Sequence, residues 1–264
     1  MRLAAAPISW GVCEVPRWGY QLDRGRVLDD AARLGLREVE AGPPGFLPAD
    51  AREARALLDK HDVRVIGGFV TAILHQADRL EAQLRALERQ AAWLSDLGSE
   101  VLVLAALPRA VEVARRRGLD TALHPHVGTV IETAASIARV LSESDIPLCL
   151  DTGHIFVGGG DPARIAREYP RRIRHVHLKD ADRALASAVR ERRIGYAAAV
   201  AKGLFRPLGE GDAGIADVLV ALKASNYSRW GVLEQDIALA GPPTEANDPA
   251  REVARSRDFA RAHA

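Results

Sequence analysis

Glu132, Asp151, His177 and Glu234 each stand at or just beyond a short apolar run, and carboxylates joined by an imidazole make up the donor set of an open divalent-metal site. The last three close the segments Leu148-Cys149-Leu150-Asp151, Val176-His177 and Val232-Leu233-Glu234. If those runs are strands of one barrel, their C-terminal ends converge on a single mouth. An isolated acid at a strand end more often caps the helix that follows, but three such ends in successive strands favour a bound ion. With Cys13 and Cys149 as its only cysteines, the chain has no thiolate cluster for a closed zinc site.

The segment His124-Pro125-His126-Val127-Gly128-Thr129 adds two imidazoles spaced by two, which point the same way on a strand. Gly128 lets the chain turn tightly enough for Glu132 to return to the mouth. Glu132, His124 and His126 therefore compete for the fourth ligand position. Glu132 is preferred, which leaves at least one histidine free to carry a proton.

Elements that could position these residues recur along the chain. Apolar, β-rich runs fall at Leu3 to Ser9, Glu38 to Gly42, Val63 to Val70, Glu100 to Leu107, Asp120 to His126, Ile146 to His154, Ile173 to Asp180 and Gly231 to Asp236. Amphipathic stretches separate them, such as Asp78 to Leu97 with Leu80, Leu84, Leu87 and Leu94 at helical spacing. Strands alternating with helices imply parallel pairing, and eight units over 264 residues predict a single (β/α)₈ barrel of the whole chain, residues 1–264. The link from Leu107 to Asp120 is short enough to hold only one helix, Arg109 to Arg117. Asp180 to Gly214 is a long connection with a helical middle, of the kind that builds active sites at the C-terminal face.

With 36 basic against 35 acidic residues, the chain carries no field to draw nucleic acid or an anionic membrane. No apolar run approaches the roughly 20 residues that span a bilayer, and no signal-like segment opens the chain. The expectation is a soluble cytoplasmic protein with two reduced, buried thiols; homo-oligomerisation is left open. No GxGxxG or GxxxxGK[ST] motif follows a predicted strand.

These motifs carry a resemblance over nearly the whole chain. The stretches Ser9-Trp10-Gly11-Val12-Cys13-Glu14, Ala41-Gly42-Pro43-Pro44-Gly45-Phe46-Leu47-Pro48, His124-Pro125-His126-Val127-Gly128-Thr129, Asp151-Thr152-Gly153-His154, His175-Val176-His177-Leu178-Lys179-Asp180 and Glu234-Gln235-Asp236 resemble the inosose dehydratases of the xylose-isomerase-like sugar isomerase and epimerase superfamily. The resemblance implies a metal-dependent barrel acting on a small polyhydroxylated keto substrate. Mn²⁺ or Co²⁺ is the expected ion, with Mg²⁺ and Zn²⁺ as further options. In isomerising relatives a glutamate usually ends the fifth strand; here His124 stands there, which tilts the expectation toward dehydration.

On that reading His124 or His126 takes a proton from the carbon next to the carbonyl, and the other histidine or Lys179 protonates the departing β-hydroxyl. Trp10, Glu14, His75 and His154 are the expected substrate contacts. The alternatives are an isomerase or epimerase working through the same enediolate, and a non-catalytic sugar-binding barrel subunit.

Overall fold

The computed structural model describes residues 1–70, 78, 80–104 and 109–263. Eight parallel strands close a barrel: β1 (Arg2–Ala5), β2 (Glu38–Glu40), β3 (Arg64–Val70), β4 (Val101–Leu104), β5 (Asp120–Leu123), β6 (Leu148–Asp151), β7 (Ile173–Leu178) and β10 (Trp230–Leu233). They neighbour one another in the order β1-β10-β7-β6-β5-β4-β3-β2. Around them pack α1 (Arg24–Arg33), α2 (Ala51–Lys60), α3 (Leu80–Asp96), α4 (Arg109–Arg116), α5 (Ala134–Glu143), α6 (Thr152–Val157), α7 (Pro162–Glu168), α10 (Ile215–Ala224) and α11 (Pro249–His263). The expected (β/α)₈ architecture is therefore present. Among the described residues no helix is long and apolar enough to cross a membrane.

Side chains alternate across each strand, so one set packs outward on the helices and the other fills the barrel. Leu102, Leu104, Leu148, Leu150, Val176 and Leu178 belong to the large outer core. Val101, Val103, Ala122 and Cys149 fill the interior, as do Ala4, Ile66, Trp230 and Val232. The same alternation carries two residues on from Ala122, Cys149 and Val232 to His124, Asp151 and Glu234. Polar groups thus form a layer above the apolar plug, at the C-terminal mouth.

The strands are shorter than the apolar runs suggested, because residues at their ends enter other structure. Pro7, which lacks an N–H, starts a 3₁₀ turn over Pro7–Trp10 immediately after β1. Asp151 caps α6 by accepting from the His154 N–H at 2.7 Å, so the sixth run becomes a helix at Thr152. The part of the fourth run beyond Leu104 lies outside the described residues. Cys149 is buried as expected, but Cys13 is only half-buried, on the loop after the 3₁₀ turn.

The long connection after β7 is more structured than a single helical middle. It folds as β8 (Asp180–Ala181), α8 (Arg183–Arg190), α9 (Tyr196–Ala201) and β9 (Phe205–Arg206), with β8 and β9 paired antiparallel. Asp180 holds its return, since its buried carboxylate accepts from the N–H groups of Ala181, Gly209, Gly211 and Ala213 at 2.8–3.1 Å. Each buried donor left without a partner costs about 1–3 kcal/mol. Asp180→Ala is expected to lower unfolding stability by about 3 kcal/mol or more. The urea midpoint measures this, and an unchanged midpoint would show that the loop satisfies those donors without Asp180.

Candidate active site

A cavity of about 450 Å³ opens at the C-terminal mouth, with Glu40, His124, His126, His177, Glu234 and Asp236 on its wall. At its floor, Asp151, His177 and Glu234 bring their donor atoms within 4.8 Å of one another, all buried. His177 Nδ1 lies 2.7 Å from Glu234 Oε2 and 3.3 Å from Asp151 Oδ2. Yet Nδ1 makes no aligned hydrogen bond with either. Atoms that crowd a common point without bonding one another suit a shared cation.

Charge leads to the same conclusion. Four carboxylates are buried at the mouth, Glu40, Asp151, Glu234 and Asp236, and the last three surround one buried ammonium, Lys179. Burial alone would depress His177, but Glu234, Glu40 and Asp151 outweigh it and hold the imidazole well above its ordinary range. Cys149, pushed up by burial to about 11, remains a neutral thiol and supplies no opposing charge. Burial raises the Glu234 carboxyl, but His177 and Lys179 more than offset this and bring it to about 2. The site thus collects negative charge that a proton on His177 only partly balances, and a divalent ion fits it.

The fourth ligand position is where the structure departs from expectation. Gly128 does turn the chain, at φ +85°. The turn then closes through His126 N–H to the Ile131 carbonyl at 3.1 Å, and Ala134 N–H bonds the Gly158 carbonyl at 3.0 Å. This carries Glu132 to the shoulder beside α6, where its carbonyl stands 2.0 Å from the place a Cβ on Gly158 would take. Glu132 belongs to none of the clusters able to hold an ion among the described residues. His124 does belong to such clusters, one with Asp151 and His154 and one with Cys149 and His177, and its Nε2 lies 3.0 Å from Asp151 Oδ2.

His126, also on the cavity wall, places Nδ1 2.7 Å from its neighbour's carbonyl, that of Val127. A carbonyl only accepts, so Nδ1 carries the hydrogen and Nε2 keeps a free lone pair. Burial, together with His124 and Lys179, pushes the imidazole down to about 4. His154 packs behind it, with ring centroids 3.8 Å apart, and does not line the cavity.

Lys179 is fully buried, with Nζ 2.6 Å from Glu234 and 2.7 Å from Asp236. Burial opposes its charge, but Asp151, Asp236 and Glu234 hold the ammonium well above its usual range. It neutralises the acids from below the cavity wall, a place suited to fixing charge rather than donating a proton. Gly153 lets it pass, since a Cβ there would stand 2.6 Å from the Lys179 Cγ.

Glu14 is exposed and lines the mouth, whereas Trp10 is buried in the outer core and Trp18 takes the place on the wall. His75 lies outside the described residues. Three wall residues escaped the sequence reading of the site. Glu40 ends a barrel strand just as Asp151 does, so its signal was present. Asp236 sits two residues beyond Glu234, on the same side by alternation. Tyr196, whose hydroxyl bonds Asp236 Oδ2, comes from α9 and had no local signal.

Known proteins resemble the chain to differing depths. The inosose dehydratase of Geobacillus kaustophilus (strain HTA426) is 28% identical over 282 residues, covering 93% of this chain and 91% of that protein. Among solved structures, the probable 3-DHS dehydratase AsbF from Bacillus anthracis superposes with a TM-score of 0.70 at 16% identity, covering 96% of this chain and 97% of that one. The IOLI protein with a bound zinc atom also reaches a TM-score of 0.70, at 12% identity over 100% of this chain and 99% of that one. At such identities the two structures establish the fold alone. A family model described as xylose isomerase-like TIM barrel matches residues 28–263, and the chain belongs to that family.

Proposed function

We propose that the protein is a metal-dependent hydro-lyase that dehydrates a keto-cyclitol such as scyllo-inosose or a related keto-sugar. The observation that carries this reading is the pairing of a cation-ready floor, Asp151, His177 and Glu234, with a neutral imidazole on the wall, His126, whose Nε2 is free to accept a proton. The 28% identical relative named inosose dehydratase supports the choice of substrate class.

Asp151, His177 and Glu234 would hold the ion, with His124 beside Asp151 as the fourth donor. A bound divalent ion would supply Lewis acidity to the substrate carbonyl, which acidifies the adjacent carbon. His126 Nε2 takes the proton from that carbon. The electrons of the broken C–H bond form a C=C bond as the β C–O bond breaks, and the hydroxyl leaves with a proton as water. The enol that results ketonises to a dione. With His124 committed to the ion, Tyr196, which lines the cavity with its hydroxyl on Asp236, is the candidate proton carrier for the leaving group. The buried, ion-paired Lys179 is the weaker choice.

Incubation with Mn²⁺, Co²⁺ or Zn²⁺ and scyllo-inosose tests the reading, and the expected result is the ultraviolet absorption of a conjugated enolised dione. Rearranged substrate without that absorption would instead identify an isomerase or epimerase. Bound substrate without turnover would identify a sugar-binding barrel.

The pH profile gives an independent check. His126 acts as a base only when neutral, and it loses that form as pH falls through about 4. The expected kcat/KM is therefore flat from neutrality to about pH 5 and falls below it. An acid limb near the ordinary histidine value of 6.5 would rule His126 out as the base.

A further inference from the structure

Glu40 contributes to the site from the far side of the barrel. It ends β2, and β1 and β10 separate that strand from β7, so its buried carboxylate crosses the interior to reach the histidines of β7. Glu40 Oε1 lies 2.9 Å from His175 Nε2 and 3.2 Å from His177 Nε2. On the other side of the His177 ring, Nδ1 faces Glu234 and Asp151.

We infer that Glu40 is a positioning residue: it holds the hydrogen of His177 on Nε2, so that the ring presents the Nδ1 lone pair to the cation. This rests on the reading that Asp151, His177 and Glu234 bind a divalent ion. An ionised carboxylate only accepts hydrogen bonds, so each imidazole nitrogen facing Glu40 carries its hydrogen. A neutral imidazole has one hydrogen to place, and placing it on Nε2 leaves Nδ1 as the donor atom. Carboxylate, imidazole and metal in that order fix both ring orientation and tautomer. His175 donates to the same oxygen and anchors it on the β7 side of the interior.

One competing arrangement exists on the same atoms. Glu40, His175 and His177 also bring ligand atoms within 4.8 Å of one another and could hold an ion themselves. His177 would then coordinate through Nε2, and a neutral ring cannot use that nitrogen for an ion while keeping its hydrogen there for Glu40.

Zinc alone is the probe, because it is diamagnetic and its binding needs no substrate. In nitrogen-15 spectra of histidine-labelled, zinc-loaded wild type, His177 is expected to show a protonated Nε2 and a zinc-bound Nδ1. Competition titration is expected to give one zinc per chain, bound about 10–100-fold more weakly by Glu40→Gln. The melting temperature of metal-free Glu40→Gln checks that the variant folds. The wild-type spectrum settles the assignment even if it does not.

Zinc on His177 Nε2 overturns the inference. So does unchanged affinity in folded Glu40→Gln, or a second zinc lost in both Glu40→Gln and His175→Ala. Failure of wild type to bind zinc overturns it together with the metal site. Tight zinc binding with no dehydration of scyllo-inosose overturns the proposed reaction and leaves the role of Glu40 standing.

Discussion

Glu234→Gln and Asp151→Asn are each expected to lower turnover of scyllo-inosose by about 10³-fold, the scale on which preorganised electrostatic groups act. Both substitutions keep the shape of the side chain and remove one of the charges that converge on His177 Nδ1. Asp151 has two duties, since Oδ1 caps α6 through the His154 N–H while Oδ2 faces His124 and His177. An asparagine oxygen can still cap the helix, so Asp151→Asn should fold and fail at the ion. Zinc titration of the variants measures the loss directly, and wild-type affinity in either would remove that residue from the ligand set.

Glu234 also leaves a mark on acid stability. Its carboxyl is held at about 2 in the fold, against about 4.3 for a free glutamate. A depressed carboxyl stabilises the fold in full above the unfolded value, and that contribution fades as pH falls toward about 2. The metal-free Glu234→Gln variant should therefore lose less stability than wild type between pH about 4.5 and about 2.

His126→Ala should reduce kcat by about 10² to 10⁴, the usual worth of one acid or base group. Here the ion should stay bound, because His126 belongs to none of the ion-ready clusters among the described residues. Exchange of the substrate's α-proton with deuterium oxide separates the two defects. It should disappear in His126→Ala even with zinc in place. Exchange at the wild-type rate would assign the base to another group.

Much of the site was legible because a parallel barrel converts a local pattern into a spatial one. Period-two alternation is set by backbone sterics at each residue, and closure brings strand ends together whatever lies between them. That is why Asp151, His177 and Glu234, far apart in sequence, were recognisable as neighbours, and why His124 was a candidate beside them. The eight strands were recognisable for the same reason, although not their ends, where Pro7 and the Asp151 cap turn apolar chain into helix.

Tertiary structure decided what depends on contacts between distant segments. Gly128 announced a turn, but whether Glu132 returned to the mouth rested on Ala134 bonding the Gly158 carbonyl, two segments away. Lys179 looked like a proton donor beside a ligand. Its burial among Glu234, Asp236 and Asp151 makes it a fixed counter-charge instead, an outcome of two other strand ends. Glu40 had the form of a strand-end ligand, and only closure of the barrel set it across from His175 and His177. Residue spacing therefore determined which side chains could share a mouth, whereas their partners, and so their chemistry, followed from packing that no local pattern encodes.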